Sequence, residues 1–341
     1  MSKGERNISK LGLAKSSAKI LPKGVVLLSS RAPVGYLAIA KNEVSTNQGF
    51  RNLISNSETN NLFLFYLLKN NVEYLKSQST GTTFGELAGS TLKSLSFYFP
   101  PLTEQKAIAS VLSSLDDKID LLHRQNNTLE AMAETFFRQW FCENEKVKSE
   151  KWEEGKIPEE FDYVMGASPP GESYNETGVG IPMFQGNADF EFRFPKRRIF
   201  TTAPKKIAEK YDTLVSVRAP VGAQNMANEK CCIGRGVAAF RYKRNNDYYT
   251  YTYFKMKSLM QKIKQFNDTG TVFGSISKGD FESFDVVLPP HKLVDKFQEE
   301  VKPLDDKVIS SANQIRTLEK LRDTLLPELM SGEVRVEYDA N

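Results

Sequence analysis

The sequence predicts an α+β chain built as a tandem repeat. Two similar domains of mixed strand and helix are each followed by a long helix. The long helices pack on each other, either as an antiparallel coiled coil within the chain with pseudo-two-fold symmetry or with a partner's helices. Three observations predict it. The first is a set of motifs that recur in order. Arg31-Ala-Pro-Val-Gly35 returns as Arg218-Ala-Pro-Val-Gly222, displaced by 187 residues. Thr80-Gly-Thr-Thr-Phe-Gly85 returns as Thr269-Gly-Thr-Val-Phe-Gly274, Pro100-Pro101 as Pro289-Pro290, and Leu115-Asp-Asp-Lys118 as Leu304-Asp-Asp-Lys307, all displaced by 189, so one two-residue gap reconciles every match. A period this long marks a duplicated domain-plus-helix unit, not a solenoid. The second is β-branched and aromatic runs broken by Gly and Pro. The third is a long apolar seam after each Pro-Pro pair.

Taken in order, residues 1–102 form the first domain, with a strand at Val25–Leu28 and a helix from Asn61 to Leu68. Leu95–Phe99 reads as its closing strand, ended by Pro100-Pro101, because proline cannot donate to a ladder. The first long helix spans 103–141 with Thr103 as N-cap and would be about 58 Å long at ~1.5 Å per residue. Ile108, Leu112, Leu115, Ile119, Leu122, Asn126, Leu129, Ala133, Phe136 and Trp140 alternate steps of four and three, the seam of a coiled coil. Residues 142–162, rich in Glu and Lys, read as a surface linker. The second domain spans 163–290, with strands at Leu214–Val217, Val237–Phe240 and Phe284–Leu288 and a helix running from Tyr248 past Met260. The second long helix spans 291–330. Its seam is Phe297, Val301, Leu304, Val308, Ser311, Ile315, Leu318, Arg322, Leu325 and Leu329, with His291 a poor N-cap and Pro327 expected to end or kink it near Leu326. Residues 331–341 are a C-terminal tail.

Composition bounds the function. The chain has 341 residues, 40% hydrophobic and 26% charged, enough for two separate cores. It has no run of about eighteen apolar residues for a membrane span, and its first residues lack the apolar core of a secretory signal, so a cytoplasmic location is expected. Cys142, Cys231 and Cys232 are too few and badly spaced for a disulfide framework and read as reduced. The net charge of +4 is uneven: residues 163–290 hold 18 Lys/Arg against 12 Asp/Glu, or +6, which permits a phosphate-facing surface. No catalytic or metal site is expected. His123 and His291 stand alone, no His/Cys cluster has metal spacing, and no Ser/His/Asp set, methyltransferase-type Asn-Pro-Pro-aromatic sequence or nuclease metal site is present. Asp116-Asp117 and Asp305-Asp306 read as a solvated or partner-facing stripe.

Several motifs suit DNA contact. Arg31 and Arg218 follow apolar strands at a Pro/Gly turn, where a guanidinium can grip phosphate, read guanine, or equally bond loop carbonyls. The Thr-Gly-Thr loops lack the Gly-Lys-Ser/Thr of an ATP site, but Thr80, Thr82, Thr269 and Thr271 could contact a DNA phosphate or simply shape a turn. Gln185 and Asn187 carry amides able to pair with adenine, and Lys196, Arg197 and Arg198 could hold phosphate. The interleaved Phe190, Phe192 and Phe194 read as one face of a core strand more than a stacking platform. Arg235, between Gly234 and Gly236, aligns with Gln48, between Asn47 and Gly49, where two readers of different sequences would differ.

The residues together resemble the specificity subunit of type I restriction-modification systems over almost the whole chain. The resemblance rests on Ser30-Arg-Ala-Pro-Val-Gly35 with Ser45-Thr-Asn-Gln-Gly49, Pro100-Pro-Leu-Thr-Glu-Gln105, Phe136-Phe-Arg-Gln-Trp-Phe141, Ile157-Pro-Glu159, Met165-Gly-Ala-Ser-Pro-Pro170, Cys231-Cys-Ile-Gly-Arg-Gly236 and Leu325-Leu-Pro-Glu-Leu-Met-Ser-Gly-Glu-Val334. It implies two target-recognition domains, each reading half of an interrupted double-stranded DNA site, and two helices that set the unread spacer and dock two modification subunits. It further implies adenine methylation with S-adenosylmethionine by those subunits, and cleavage with ATP and magnesium by restriction subunits. This chain would itself bind no cofactor. One departure stands out. By the 187 offset Met1 corresponds to Ala188, so the counterpart of Met165 through Asn187 is missing and the first recognition domain reads as shortened. A coiled-coil adaptor or degenerate specificity subunit that binds modification subunits without guiding them is the alternative.

Overall fold

The computed structural model describes residues 4, 7–80, 85–143, 152–268 and 274–337, with backbone alone over 262–268. It folds as two compact units, Met1–Leu121 with Arg316–Asn341, and Leu122–Ile315.

In the first unit, α1 (Lys10–Ala14) precedes a three-stranded antiparallel sheet of β1 (Val26–Ser29), β2 (Leu37–Ile39) and β3 (Phe50–Leu53), ordered β2-β1-β3. Then come α2 (Asn61–Asn70), α3 (Val72–Ser77), α4 (Gly89–Ser94) and the first part of α5 (Leu102–Arg138). Asn60 caps α2 by accepting the Phe63 N–H at 3.0 Å, a contact worth about 1 kcal/mol. The helix buries Phe63, Leu64, Tyr66, Leu67 and Leu68. Leu95–Phe99 forms no strand, contrary to the sequence expectation. Among the described residues of this unit no strand lies beside it, and Phe97 packs against the core instead.

In the second unit, β4 (Glu153–Lys156), α6 (Ile157–Glu160) and β5 (Phe161–Met165) lead into β6 (Tyr174–Asn175), β7 (Ile181–Phe184), β8 (Ile199–Thr201) and β9 (Ile207–Ala208). β10 (Thr213–Ser216), β11 (Gln224–Met226), β12 (Cys231–Ile233) and β13 (Val237–Tyr242) follow, then α7 (Tyr249–Asp268), α8 (Lys278–Ser283), β14 (Asp285–Leu288) and the first part of α9 (His291–Ser331). Three sheets result, ordered β11-β10-β13-β5, β6-β8-β7-β12-β9 and β14-β4. The repeat holds at the level of strand register. Val26 pairs with Ile39 as Thr213 pairs with Met226, and Ser29 with Phe50 as Ser216 with Val237, each shifted by 187.

The reading of 142–162 as a surface linker fails over its second half. Glu153–Lys156 pairs with β14, and Ile157 is fully buried. Glu160 is buried as well, taking the Tyr251 hydroxyl and facing Lys255 at 3.5 Å. Burial raises its carboxyl above the ordinary range despite both partners. The abundant charge concealed a segment whose few apolar residues all face inward.

The two long helices pack antiparallel. In the first unit, Ile108, Ala109 and Leu112 share a core with Leu326 and Leu329, and Asp116 meets Arg322 at 2.7 Å. In the second unit, Phe137, Trp140 and Phe141 pack edge-to-face around Phe297, and Val301, Ile309 and Ala312 extend the same core. A buried glutamine on each helix also holds the N-terminus of a domain helix: Gln105 Oε1 accepts the Asn60 N–H at 2.9 Å, and Gln298 Oε1 accepts that of Tyr251 at 3.1 Å.

The seam differs from a strict heptad at one end. Ile108, Leu112, Ile119, Leu122, Asn126 and Ala133 are buried, with Leu115 and Leu129 half-buried, but burial then passes to Phe137 and Phe141, leaving Phe136 37% exposed and Trp140 half-buried. An α-helix drifts about 20° per heptad against a 3.5-residue repeat, so after four heptads the inward position has moved one residue on. On the second helix Phe297, Val301, Val308, Ser311, Ile315 and Leu329 are buried, and Leu304, Leu318, Arg322 and Leu325 half-buried.

Other boundaries shift too. The first helix begins at Leu102, ahead of Thr103, and closes in a π-helical turn at Gln139–Glu143. Pro327 neither ends nor breaks the second, which runs on to Ser331. Its ring sits on an exposed position while buried Leu326 and Leu329 hold the turn. Of the acidic pairs, read as a solvated or partner-facing stripe, only Asp117 is exposed. Asp305 is 1% exposed, and Asp116, Asp305 and Asp306 each take hydroxyl donors from the domain side.

Phe137→Ala should cost about 3–5 kcal/mol of stability, whereas Phe136→Ala should change it by less than about 0.5 kcal/mol. Urea unfolding midpoints measure both, and equal losses would restore the heptad phase.

Candidate nucleic-acid interface

The two Arg-Ala-Pro-Val-Gly turns are built alike. Ser29 Oγ donates to the Pro33 carbonyl and accepts the Tyr36 N–H, both at 2.8 Å, while Ser216 Oγ does the same with Pro220 and Ala223 at 2.7 and 2.9 Å. The turn closes through Gly35 N–H to Ser29 O and Gly222 N–H to Ser216 O, with both glycines at positive φ. Both Ala–Pro bonds are cis. Each turn leaves its arginine, Arg31 or Arg218, exposed at the strand end.

In the second unit, four backbone hydrogen bonds tie neighbouring strand ends into one edge. Val217 N–H donates to Gly236 O at 2.9 Å, Ile276 N–H to Val217 O at 2.8 Å, Gly234 N–H to Phe184 O at 2.9 Å, and Ala167 N–H to Ile233 O at 3.0 Å. This edge presents Gln185, Arg218 and Arg235, all exposed, and the Arg235 Nε reaches Ser168 Oγ at 3.3 Å. Gly236 is required by close approach, since a Cβ there would lie 2.2 Å from the Gln185 carbonyl oxygen. Asn187 is half-buried and opens a short 3-10 turn. Lys196–Arg198 leads into β8, whose Ile199 pairs with Met183, so the basic run lies beside the chain leaving β7 at Gln185.

That run is not wholly free. Arg198 pairs with Asp189 at 2.9 Å and Arg197 with Glu229 at 2.5 Å, while Lys196 is exposed. The phenylalanines before it form a loop, not a strand: Phe194 is buried, Phe190 and Phe192 are half-buried, and Arg193 between them adopts φ 66°.

The first unit repeats the edge with different side chains. Ser30 N–H donates to Gly49 O and Leu87 N–H to Ser30 O, both at 2.8 Å, and Gln48 is exposed where the other unit has Arg235. Thr80 pairs through its backbone with Glu86 and leaves its side chain exposed. The sequence reading missed Glu86 and Arg51, which pair at 3.1 Å beside Arg31, as well as Ser168, Asp189 and Glu229. None belongs to a motif shared by the two copies or to the amide and basic runs at Gln185–Asn187 and Lys196–Arg198, the signals that singled out the others. Thr82, Thr269 and Thr271 lie outside the described residues.

A family model for the type I restriction modification DNA specificity domain matches residues 1–131 and 149–320. The chain belongs to this family of type I specificity subunits. This specificity subunit is 32% identical over 367 aligned residues to the type I restriction enzyme MjaIX specificity subunit of Methanocaldococcus jannaschii, covering 99% of this chain and 84% of that one. It is 24% identical to the HindI specificity subunit of Haemophilus influenzae, covering 80% and 77%. Among solved structures, the type I restriction-modification S subunit from M. genitalium superposes with a TM-score of 0.63 at 22% identity over 91% of this chain and 84% of that one, a likeness of fold. Among the described residues of the subunit, no group of three or more His, Cys, Asp or Glu could hold a metal ion, and no helix is long and apolar enough to cross a membrane.

Gly236→Ala should cost about 1–3 kcal/mol by forcing the Gln185 backbone away, whereas Gly171→Ala, with open space around it, should stay within about 0.5 kcal/mol. Thermal denaturation compares the two.

Proposed function

We propose that this specificity subunit reads a bipartite double-stranded DNA target, each unit meeting one half-site through its strand-end edge. The observation that carries the reading is one backbone edge built twice, with an exposed arginine at the same place in both and a differing polar residue, Arg235 or Gln48, beside it. A constant scaffold suits contacts common to all DNA, and a variable side chain suits base choice. Arg235 can reach guanine O6 and N7, Gln48 and Gln185 can pair with adenine, and Arg218, Arg31 and Lys196 can meet phosphates. The reaction belongs to partners docked on the long helices. Two modification subunits methylate adenine with S-adenosylmethionine, and restriction subunits cut unmodified DNA with ATP and magnesium.

Co-expression with the cognate modification subunits in a host lacking adenine methylation should mark adenines in a single two-part motif, read by methylation-sensitive sequencing. Methylation with no common motif would instead make the chain a coiled-coil adaptor. Arg235→Gln should relax one base of one half-site by about 1–3 kcal/mol, seen in competition binding. Lys196→Ala should weaken binding to all sequences and lower the slope of log affinity against log salt by roughly 0.9.

A further inference from the structure

The recurring Leu-Asp-Asp-Lys motif has no part in the reading edge, yet it sits where each long helix meets its own domain. In the second unit, Asp305 on α9 is 1% exposed and ion-paired with Arg193, itself 2% exposed. Thr250 Oγ1 on α7 donates to the other Asp305 oxygen at 2.9 Å. The Arg193 guanidinium lies 3.8 Å from the centre of the Tyr253 ring, a cation–π stack. Next in the motif, Asp306 takes the Tyr249 hydroxyl and pairs with Lys302 at 2.6 Å.

Arg193 is the buried tip of the loop whose two stems carry Gln185 and Lys196–Arg198. The loop closes on itself through Lys196 N–H to Asp189 O, Arg198 to Asp189, and a bridge between Phe190 and Pro195. Apart from the exposed Arg197–Glu229 pair on one stem, its ties outward cluster at the tip: Met226 N–H to Arg193 O at 2.9 Å, Asn225 Nδ2 to Glu191 O at 2.5 Å, the Asp305 pair and buried Phe194. In the first unit the matching aspartate, Asp116, accepts the buried Tyr66 hydroxyl from α2 at 2.7 Å and Arg322 Nη1 at 2.7 Å. Different donors therefore meet the same carboxylate in each copy.

We propose that the first aspartate of each Leu-Asp-Asp-Lys motif is a positioning residue that clamps its recognition domain to the long helix, Asp305 through Arg193 and Thr250, Asp116 through Tyr66, and so sets the angle at which the reading edge meets its half-site. A buried pair is well suited to this role. It adds little net stability over an apolar isostere, but its directional contacts accept one arrangement only. The inference rests on the DNA-reading proposal for its consequence, though not for the clamp itself.

Arg193→Met alone leaves a buried carboxylate unpaired and can fail to fold, so the decisive variant is Arg193→Met with Asp305→Asn, which removes both charges. Two measurements on the full chain separate the clamp from the DNA reading. Without DNA, spin labels at Lys196→Cys and Lys307→Cys in a Cys142→Ser background report the loop-to-helix distance, which should broaden or shift in the double variant. An unchanged distribution overturns the clamp whatever the chain binds. With modification subunits and DNA, the double variant should keep its melting temperature and non-specific affinity. It should lose on the order of tenfold in discrimination at the half-site read by the second unit, the weight of one misread base pair, with the other half-site untouched. Tyr66→Phe should give the mirror result. If the loop loosens but the parent itself shows no sequence preference, the clamp stands and the DNA reading falls. Full discrimination at both half-sites in a folded double variant with a loosened loop overturns the positioning role.

Discussion

A 37-residue helix with one apolar stripe, and its 41-residue counterpart, take most of their stability from packing that stripe. Ile108, Leu112, Leu326 and Leu329 in one unit, and Phe137, Phe141, Phe297 and Val301 in the other, are the residues that cover it. The helix cores do not close on themselves. Phe63, Tyr66 and Leu67 of α2 join the first, and Tyr251, Phe254 and Met256 of α7 join the second, so each domain's main helix is continuous with the coiled-coil core. Gln105 and Gln298 then satisfy backbone donors at the N-termini of those helices, where an unpaired N–H would otherwise be buried.

Within each unit, the strand ends meet at an edge of that unit's own. The backbone there is over-determined: Ser29 and Ser216 each bind their turn twice, and the strand ends are laced by main-chain hydrogen bonds that do not depend on side-chain identity. Such a frame lets Arg235 and Gln48 differ without disturbing the fold, because neither contributes to the lacing. Glycine is demanded where backbones approach closely, at Gly236 against the Gln185 carbonyl and at Gly166 against that of Gly234.

Charge is used in two ways. The segment 163–290 carries an excess of cations, yet Arg193, Arg197, Arg198 and Arg241 are all engaged with carboxylates of the same unit. Net charge therefore overstates the cations on offer to a phosphate backbone. Exposed pairs such as Arg197–Glu229 are weak and exchangeable, whereas Arg193–Asp305 has no water to fall back on and resists separation.

What the amino acids determined unaided was the duplication, the strand and helix types, and the existence of the seam. Turn chemistry and apolar periodicity are local, so Val26–Ser29 and Thr213–Ser216 could be placed within a residue from Pro, Gly and β-branched runs alone. Partnership over long separations was decided by the tertiary structure. Glu153–Lys156 becomes a strand only because Asp285–Leu288 lies beside it, and Leu95–Phe99, the repeat's counterpart of Phe284–Leu288 but with no such neighbour among the described residues, does not. The shift from Phe136 to Phe137 accumulates from a few degrees per turn, too little for a pattern of spacings to register. Asp305 looked like a solvent residue because its counter-charge stands 112 positions earlier in the chain. A carboxylate's burial is set by what folds over it, and no local pattern encodes that.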